Sequence, residues 1–455
     1  MSAASVEAPS RSVVTRALQA PAAWLGVAAV LGAAAALQPL FAAAALVGGG
    51  LGAVGLRQPG WMIAATFVAM LFDSAGITAV KVDGFPITAS KLAVLGTMGL
   101  WVVHARVYAQ PLFRWHPVLT AMALVVCTTA VGVAVAGSYT FGKFTLLGLA
   151  MMTVLVTVVY TILASRPLDA LFRFLAVAYL AILVLSLTVA GARGPGDRAS
   201  GTLGDPNEWA TLVLLVTPTL IGGLAHQPGQ WARALRLALA VLGPLALLNS
   251  ESRASLLVLA LVSPAWMWIM RGQRADVAVA AGAGLILAPS IIDVSDALER
   301  FHHLLLRLGG NAARDDASLA ERSELLRQGV QLFLDNWAFG AGPGNFERAT
   351  GFIGMEMTWR PAHNTYLEIA AEQGLFGLVP VVVFMAVVAR TLWDAWRAAP
   401  RDHADRVLGV AAGLAGLALM AVTLGLLTFA IGYLVLGFAL AIVAQANSQS
   451  SQSRC

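Results

Sequence analysis

The chain has 455 residues, of which 58% are hydrophobic and only 12% charged, with a formal net charge of +5. Its mean hydropathy of +0.77 lies outside the range of water-soluble globular domains and excludes a fold built around one soluble core. The basic balance does not point to nucleic acid, because the arginines sit in short connectors between apolar stretches, where they act as topology signals.

A membrane-crossing helix needs about 20 mostly apolar residues. The sequence offers fourteen such stretches, at 22–37, 39–56, 61–79, 90–105, 117–137, 143–164, 170–190, 207–224, 232–248, 254–270, 276–291, 364–390, 407–424 and 427–445. Several early ones are short and rich in Ala and Gly, so neighbours could form one tilted or re-entrant element. The expectation is an all-α integral membrane protein with about 11 to 14 spans. The first apolar stretch leads directly into further spans and reads as a retained start-transfer helix. Cys127 and Cys455 are too few and too poorly placed for a disulfide framework.

With the N-terminus in the cytoplasm, every internal connector carries at least one arginine, from Arg11 and Arg16 through Arg57, Arg106, Arg166, Arg233 and Arg271 to Arg406. The short external connectors hold only Lys81, Lys91, Lys143, Arg193, Arg198 and Arg253. The positive-inside rule favours this arrangement. It divides the chain into a transmembrane region at 1–292, a long external loop at 293–362, and a second transmembrane region with a cytoplasmic tail at 363–455.

Polar clusters gather on the external side. At Gly201–Ala210, Asp205 fits an N-cap with Pro206 in the first helical position; Asp205, Asn207 and Glu208 could equally hydrogen-bond a sugar. At Asn249–Leu257, Arg253 could snorkel to the interface, or be pinned by its polar neighbours beside a helix N-terminus that favours an anion. In the long loop, Ser318 and Glu321 fit a capping box opening an amphipathic helix that runs to about Trp337. Arg322 shares a face of that helix with Leu325, Leu326 and Val330, and a charge there calls for a partner. The glycine-rich run Phe339–Phe346 lacks the Lys and Ser/Thr of a phosphate-binding loop and reads as a tight turn back to the membrane. Beyond it, Asn364, Glu368 and Glu372 lie four apart and form a polar stripe on one helix entering the bilayer. For Glu372 a structural hydrogen-bond network is as good a reading as a functional one. His363 stands at the mouth of that helix.

Taken together, these residues resemble the O-antigen ligase and polymerase family, membrane glycosyltransferases using an undecaprenyl pyrophosphate carrier on the periplasmic side. His363, ten residues, then Gly374 looks like the ligase signature. Arg253 with Leu257, and Arg322 with Leu326, fit its Arg-x-x-x-Leu pattern, and Gly201–Ala210 resembles a stretch common in exopolysaccharide polymerases. The resemblance implies a GT-C-like helical fold in the bacterial inner membrane, an undecaprenyl-pyrophosphate-linked glycan donor, and a glycan or lipid A core acceptor. It implies catalysis by His363 with Arg253 and Arg322 on the pyrophosphate, substrate contacts from Asp205, Asn207, Asn364, Glu368 and Glu372, and possible partnership with other polysaccharide assembly proteins. No Asp-x-Asp motif stands in the external segments, so neither metal nor cofactor is expected. Ligase and polymerase are not separated by sequence; the Asp-Pro-Asn element tilts toward polymerase. A secondary transporter is the alternative from another class, although the paired interrupted helices that such proteins show are not found.

Overall fold

The computed structural model describes residues 57–72, 80–82, 85–136, 139–188, 200–271, 317–350, 352–353, 356–357 and 362–452, with a few isolated positions between them. The expected spans at 22–37, 39–56 and 276–291 fall wholly or mostly outside these residues, as does the loop from 293 to 316. In chain order the elements are α1 (Gly60–Met70), β1 (Val80–Val82), β2 (Phe85–Ile87), α2 (Ala89–Val107), α3 (Pro117–Val135), α4 (Tyr139–Leu163), α5 (Asp169–Thr188), α6 (Pro206–Leu224), α7 (Gln230–Ser250) and α8 (Arg253–Ile269). They continue with α9 (Ala317–Asp335), α10 (Phe346–Thr350), β3 (Phe352–Ile353), β4 (Glu356–Met357), α11 (Thr365–Ala398), α12 (Arg401–Met420) and α13 (Ala430–Gln452). The strands form two short antiparallel hairpins in connectors, and the fold is all-α in character.

Among the described residues, seven helices are long and apolar enough to cross a membrane: α3, α4 from Gly142, α5, α7, α11, α12 and α13 to Gln449. The chain is a multi-pass membrane protein. Most helix starts agree with the hydropathy pattern to within a few residues; α1 ends at Met70 with Leu71 and Phe72 in a turn, and residues 73–79 of the expected stretch 61–79 lie outside the described residues. The centre of the bundle is α6, buried without interruption from Trp209 to Leu224. It meets α12 backbone to backbone: a Cβ added to Gly222 would stand 2.8 Å from the Asp405 carbonyl and 2.9 Å from the Gly409 Cα. Small residues permit this approach, which suits helices that must gain their attraction from close packing.

The bundle has two chemically distinct ends. At one, His226 after α6 bridges Asp402 (3.2 Å) and Asp405 (2.8 Å) of α12, and Arg271 after α8 reaches Asp405 at 3.0 Å. Arg406 pairs with Asp169 at the start of α5 at 2.5 Å, and Arg236 of α7 donates to the Ala225 carbonyl at 3.0 Å. This arginine-rich end fastens five helices by charge-assisted hydrogen bonds. Each helix tied there has its other terminus at the opposite end, where the chain enters α6, α8, α11 and α13.

The helix α11 is 34 residues long, ~51 Å at 1.5 Å per residue, and exceeds what a bilayer core of about 30 Å requires. It is broken at Gly374, whose backbone (φ 60°, ψ −158°) is not helical. Residues 375–398 alone cover roughly 36 Å. A break exposes amides and carbonyls that must be satisfied, and the chain following α9 supplies the partners. Leu375 and Phe376 donate to the carbonyls of Trp337 (2.8 Å) and Ala338 (3.0 Å), while Ala341 and Gly342 donate to those of Ala371 (2.9 Å) and Glu372 (2.8 Å). The run Phe339–Phe346 is thus more than a turn: it is a strap laid along the break. Gly340 (φ 72°) and Gly374 make this approach possible, because a Cβ on Gly340 would lie 2.1 Å from the Glu372 carbonyl carbon, and one on Gly374 2.5 Å from that of Ala338.

Candidate functional site

The end of the bundle away from the arginine-rich network collects the polar clusters. Thr365, the first residue of α11, donates its amide to the Ala421 carbonyl (2.8 Å) and its hydroxyl to that of Leu424 (2.6 Å), and accepts from the Leu426 amide (2.8 Å). Tyr366 donates to the Ala418 carbonyl at 2.8 Å. The mouth of α11, with His363 and Asn364, is therefore pinned to the connector between α12 and α13. His363 itself is half-buried and holds a left-handed backbone, φ 48°, uncommon for a residue other than glycine.

Arg253 opens α8. Since Arg271 at the far end of that helix reaches Asp405, Arg253 stands roughly 27 Å away along the axis. That is level with the end of α12, where Ala421 holds Thr365. The Ser252 side chain makes no cap bond to α8, and its buried hydroxyl has no hydrogen-bond partner among the described residues. The first amides of α8 consequently lack the side-chain oxygen that an N-cap usually supplies. Arg253 itself is exposed.

Arg322 lies on α9, which packs on α11. Leu325, one turn further on, is 1% exposed and clusters with Phe346, Ala371 and Ala362, the residue before His363. The expected face needs a correction: Leu325 is buried against α11 together with Gly329, whereas Leu326 and Val330 are exposed. Arg322 sits where these two faces meet, half-buried, and no hydrogen bond or ion pair from it is seen among the described residues. Arg327 pairs with Glu324 (2.6 Å), holding that exposed carboxyl down at about 2, as an ordinary solvated pair. Arg253, Arg322 and His363 thus share one end of the bundle, brought there by three different elements.

The five expected substrate contacts divide differently. Asp205 is the N-cap of α6, its Oδ1 accepting from the Asn207 (2.7 Å) and Glu208 (3.0 Å) amides. Asn364 is the N-cap of α11, its Oδ1 accepting from the Tyr366 and Leu367 amides, both at 3.0 Å. Glu372 is buried and holds the strap, Oε2 accepting from the Gly344 amide (2.8 Å) and Oε1 from that of Phe346 (2.9 Å). Neighbouring Gln373 accepts from the Thr129 hydroxyl at 2.9 Å. Glu368 faces the connector instead, its Oε2 lying 3.2 Å from where a Cβ on Gly425 would stand. From the other side Glu208 lines, with Gly425, Thr428 and Phe429, a cavity of about 190 Å³. Asn207, beside Glu208, is half-buried on the first turn of α6.

Sequence reasoning missed Glu347 at this end. It lies close enough for its charge to act on Glu368 and Glu372, and burial pushes its own carboxyl up. Its position on a five-residue helix after the strap left no periodic signal to find it by. Among the described residues, no group of three His, Cys, Asp or Glu side chains has the geometry to hold a metal ion.

Residues 238–382 match the family model described as O-antigen ligase. The matched segment contains Arg253, Arg322, His363 and Gly374 and ends within α11. No curated protein matches the chain.

Proposed function

We propose, from the premise that the chain belongs through residues 238–382 to the O-antigen ligase and polymerase family, that it transfers a glycan from undecaprenyl pyrophosphate to an acceptor hydroxyl. The reaction would take place at the periplasmic face of the inner membrane. Glycosyl-transfer chemistry comes with the family; donor, side and mechanism are our reading. What supports it is that Arg253, Arg322 and His363 stand on elements that reach the same end of the bundle, opposite the arginine-rich network, which the positive-inside rule assigns to the cytoplasm.

The chemistry needs a stabilised leaving group and an activated nucleophile. His363 accepts the proton of the acceptor hydroxyl as its oxygen attacks the anomeric carbon. The bond from that carbon to the phosphate oxygen breaks, the configuration inverts, and the pyrophosphate leaves on its lipid. Arg253 and Arg322 take the growing negative charge through the bidentate fork that guanidinium offers and ammonium does not. The Ser252 hydroxyl and the first amides of α8 add donors suited to an anion. We read Asn207 and Glu368, together with the carboxylate of Asp205 and the side-chain amide of Asn364, as the contacts to sugar hydroxyls. Glu372 acts as a latch on the strap. No step calls for a metal.

Purified protein in detergent, given a lipid-pyrophosphate glycan and an acceptor, should transfer the glycan. His363→Ala should lower the rate at least about ten-fold, the low end of general-base assistance being larger still. Near-normal transfer by a correctly inserted His363→Ala protein would refute the assignment. Whether the acceptor is a second lipid-linked unit or lipid A core is decided by a deletion strain: loss of chain length with one unit still attached to core means polymerase, and accumulated long carrier-linked polymer means ligase. The Asp205-Pro206-Asn207 element favours polymerase.

A further inference from the structure

The helix α9 carries more apolar surface than its packing on α11 uses. Leu325 and Gly329 face α11, the latter against Leu367 and Phe346. Beside them, Leu326, Val330 and Leu334 follow at a spacing of four and form a second apolar row, prolonged by Trp337 and Phe339. All five are exposed, Val330 least at 42%. The remaining face is polar and internally paired: Arg327 with Glu324, Gln328 with Glu324 at 2.8 Å, and Gln331 with Asp335 at 2.8 Å. A contiguous apolar patch rimmed by polar side chains marks a binding surface.

The row does not end in water. The Phe339 ring lies 5.3 Å from that of Phe376, two residues past the break at Gly374. From Phe376 the exposed side of α11 continues through Val379, Val382 and Val383, along a helix apolar enough to cross the membrane. The row on α9 and the lipid-facing side of α11 are therefore one surface, and what covers the second covers the first. We infer that α9 lies in the plane of the membrane interface, its row of Leu326, Val330, Leu334, Trp337 and Phe339 seated in lipid at the boundary between headgroups and acyl chains. Its polar face is turned to water. Arg322, on the border between the lipid-facing row and the face packed on α11, then stands with its stem in apolar surroundings and its guanidinium at the depth of lipid phosphates. Only the meeting of Arg322 with a lipid-linked pyrophosphate rests on the proposed reaction; the placement of α9 does not.

The test uses the full chain in lipid nanodiscs with Cys127→Ala and Cys455→Ser, and a nitroxide on one introduced cysteine: Leu334→Cys or Val330→Cys on the row, Gln331→Cys on the polar face. The ratio of collision with oxygen to collision with a water-soluble nickel chelate should be several-fold higher at Leu334 and Val330 than at Gln331. Equal, water-like ratios at all three positions would overturn the inference. So would row labels shielded from both reagents, which would mean that a second copy of the chain covers the row. Two row positions keep the test alive if one labelled protein fails to fold. Because no glycan is involved, a failed transfer assay leaves this result standing, and a failed labelling experiment leaves the transfer assay untouched.

Discussion

Replacing Gly374 with alanine tests how the upper part of α11 is held. At φ 60°, ψ −158° the backbone is in a region essentially reserved for glycine, and an L-residue there costs roughly 1–3 kcal/mol. The new Cβ would also stand 2.5 Å from the Ala338 carbonyl carbon and oxygen and 2.6 Å from the Phe339 nitrogen, all backbone atoms that cannot swing aside. The strap must move, and the bond from the Phe376 amide to Ala338 goes with it, at about 1–3 kcal/mol for a donor left unsatisfied at the break. A combined penalty on the order of 3–5 kcal/mol would be a large share of a stability of ~5–15 kcal/mol, so the strap should detach locally before the bundle unfolds. At about 1.4 kcal/mol per factor of ten, protection of the Ala341, Gly342, Leu375 and Phe376 amides against hydrogen exchange should fall by roughly 10²- to 10⁴-fold. Gly99→Ala, on α2 with nothing within 4 Å of the added Cβ, is the control and should leave these amides unchanged. Protection in Gly374→Ala within about three-fold of the parent, less than 1 kcal/mol, would refute the reasoning.

Arg322→Lys keeps the charge and loses the fork, so transfer should fall to near the level of Arg322→Ala; full activity in the lysine variant would reduce Arg322 to a point charge or a structural residue. Transfer should be indifferent to a chelator, and activity lost in chelator and restored by a divalent ion would overturn the metal-free mechanism. Asp405, 2% exposed, holds both His226 and Arg271. Asp405→Ala should destabilise by about 1–3 kcal/mol, below the figure for a wholly buried pair, because both partners can still reach solvent. An unchanged unfolding midpoint would show that the arginine-rich end is held by packing alone.

Hydropathy read the span positions well where a helix is apolar along its length, as at Pro117–Val135 and Asp169–Thr188, because about 20 apolar residues leave few alternatives. The capping-box pattern at Ser318 and Glu321 placed α9 to within about two residues at each end, although not the face it packs with. Asp205 was legible as a cap or as a ligand, whereas Asn364 was read only as part of a polar stripe; the hydrogen bonds to the following amides show that both act as caps. What could not be read was pairing between distant backbones. Gly374 stood out only as part of a signature, and its reason lies in Trp337 and Ala338, more than thirty residues earlier. Glu372 likewise looked like one member of a polar stripe until the Gly344 and Phe346 amides accounted for both its oxygens. The His226–Asp402–Asp405–Arg271 network joins residues with no common local pattern, so no window of sequence reveals it.

The ladder between Trp337–Gly342 and Ala371–Phe376 also sets where this protein tolerates a change of length. Adding one residue inside either segment slips the register by one, so that a side chain arrives where only a glycine hydrogen fits. The same addition between Thr350 and Ala362 lies outside both paired stretches and leaves every rung in place. Variation in the length of this segment is thus channelled into the stretch between the strap and the mouth of α11, while the spacing from Arg322 to the strap, and from His363 to the break, stays fixed.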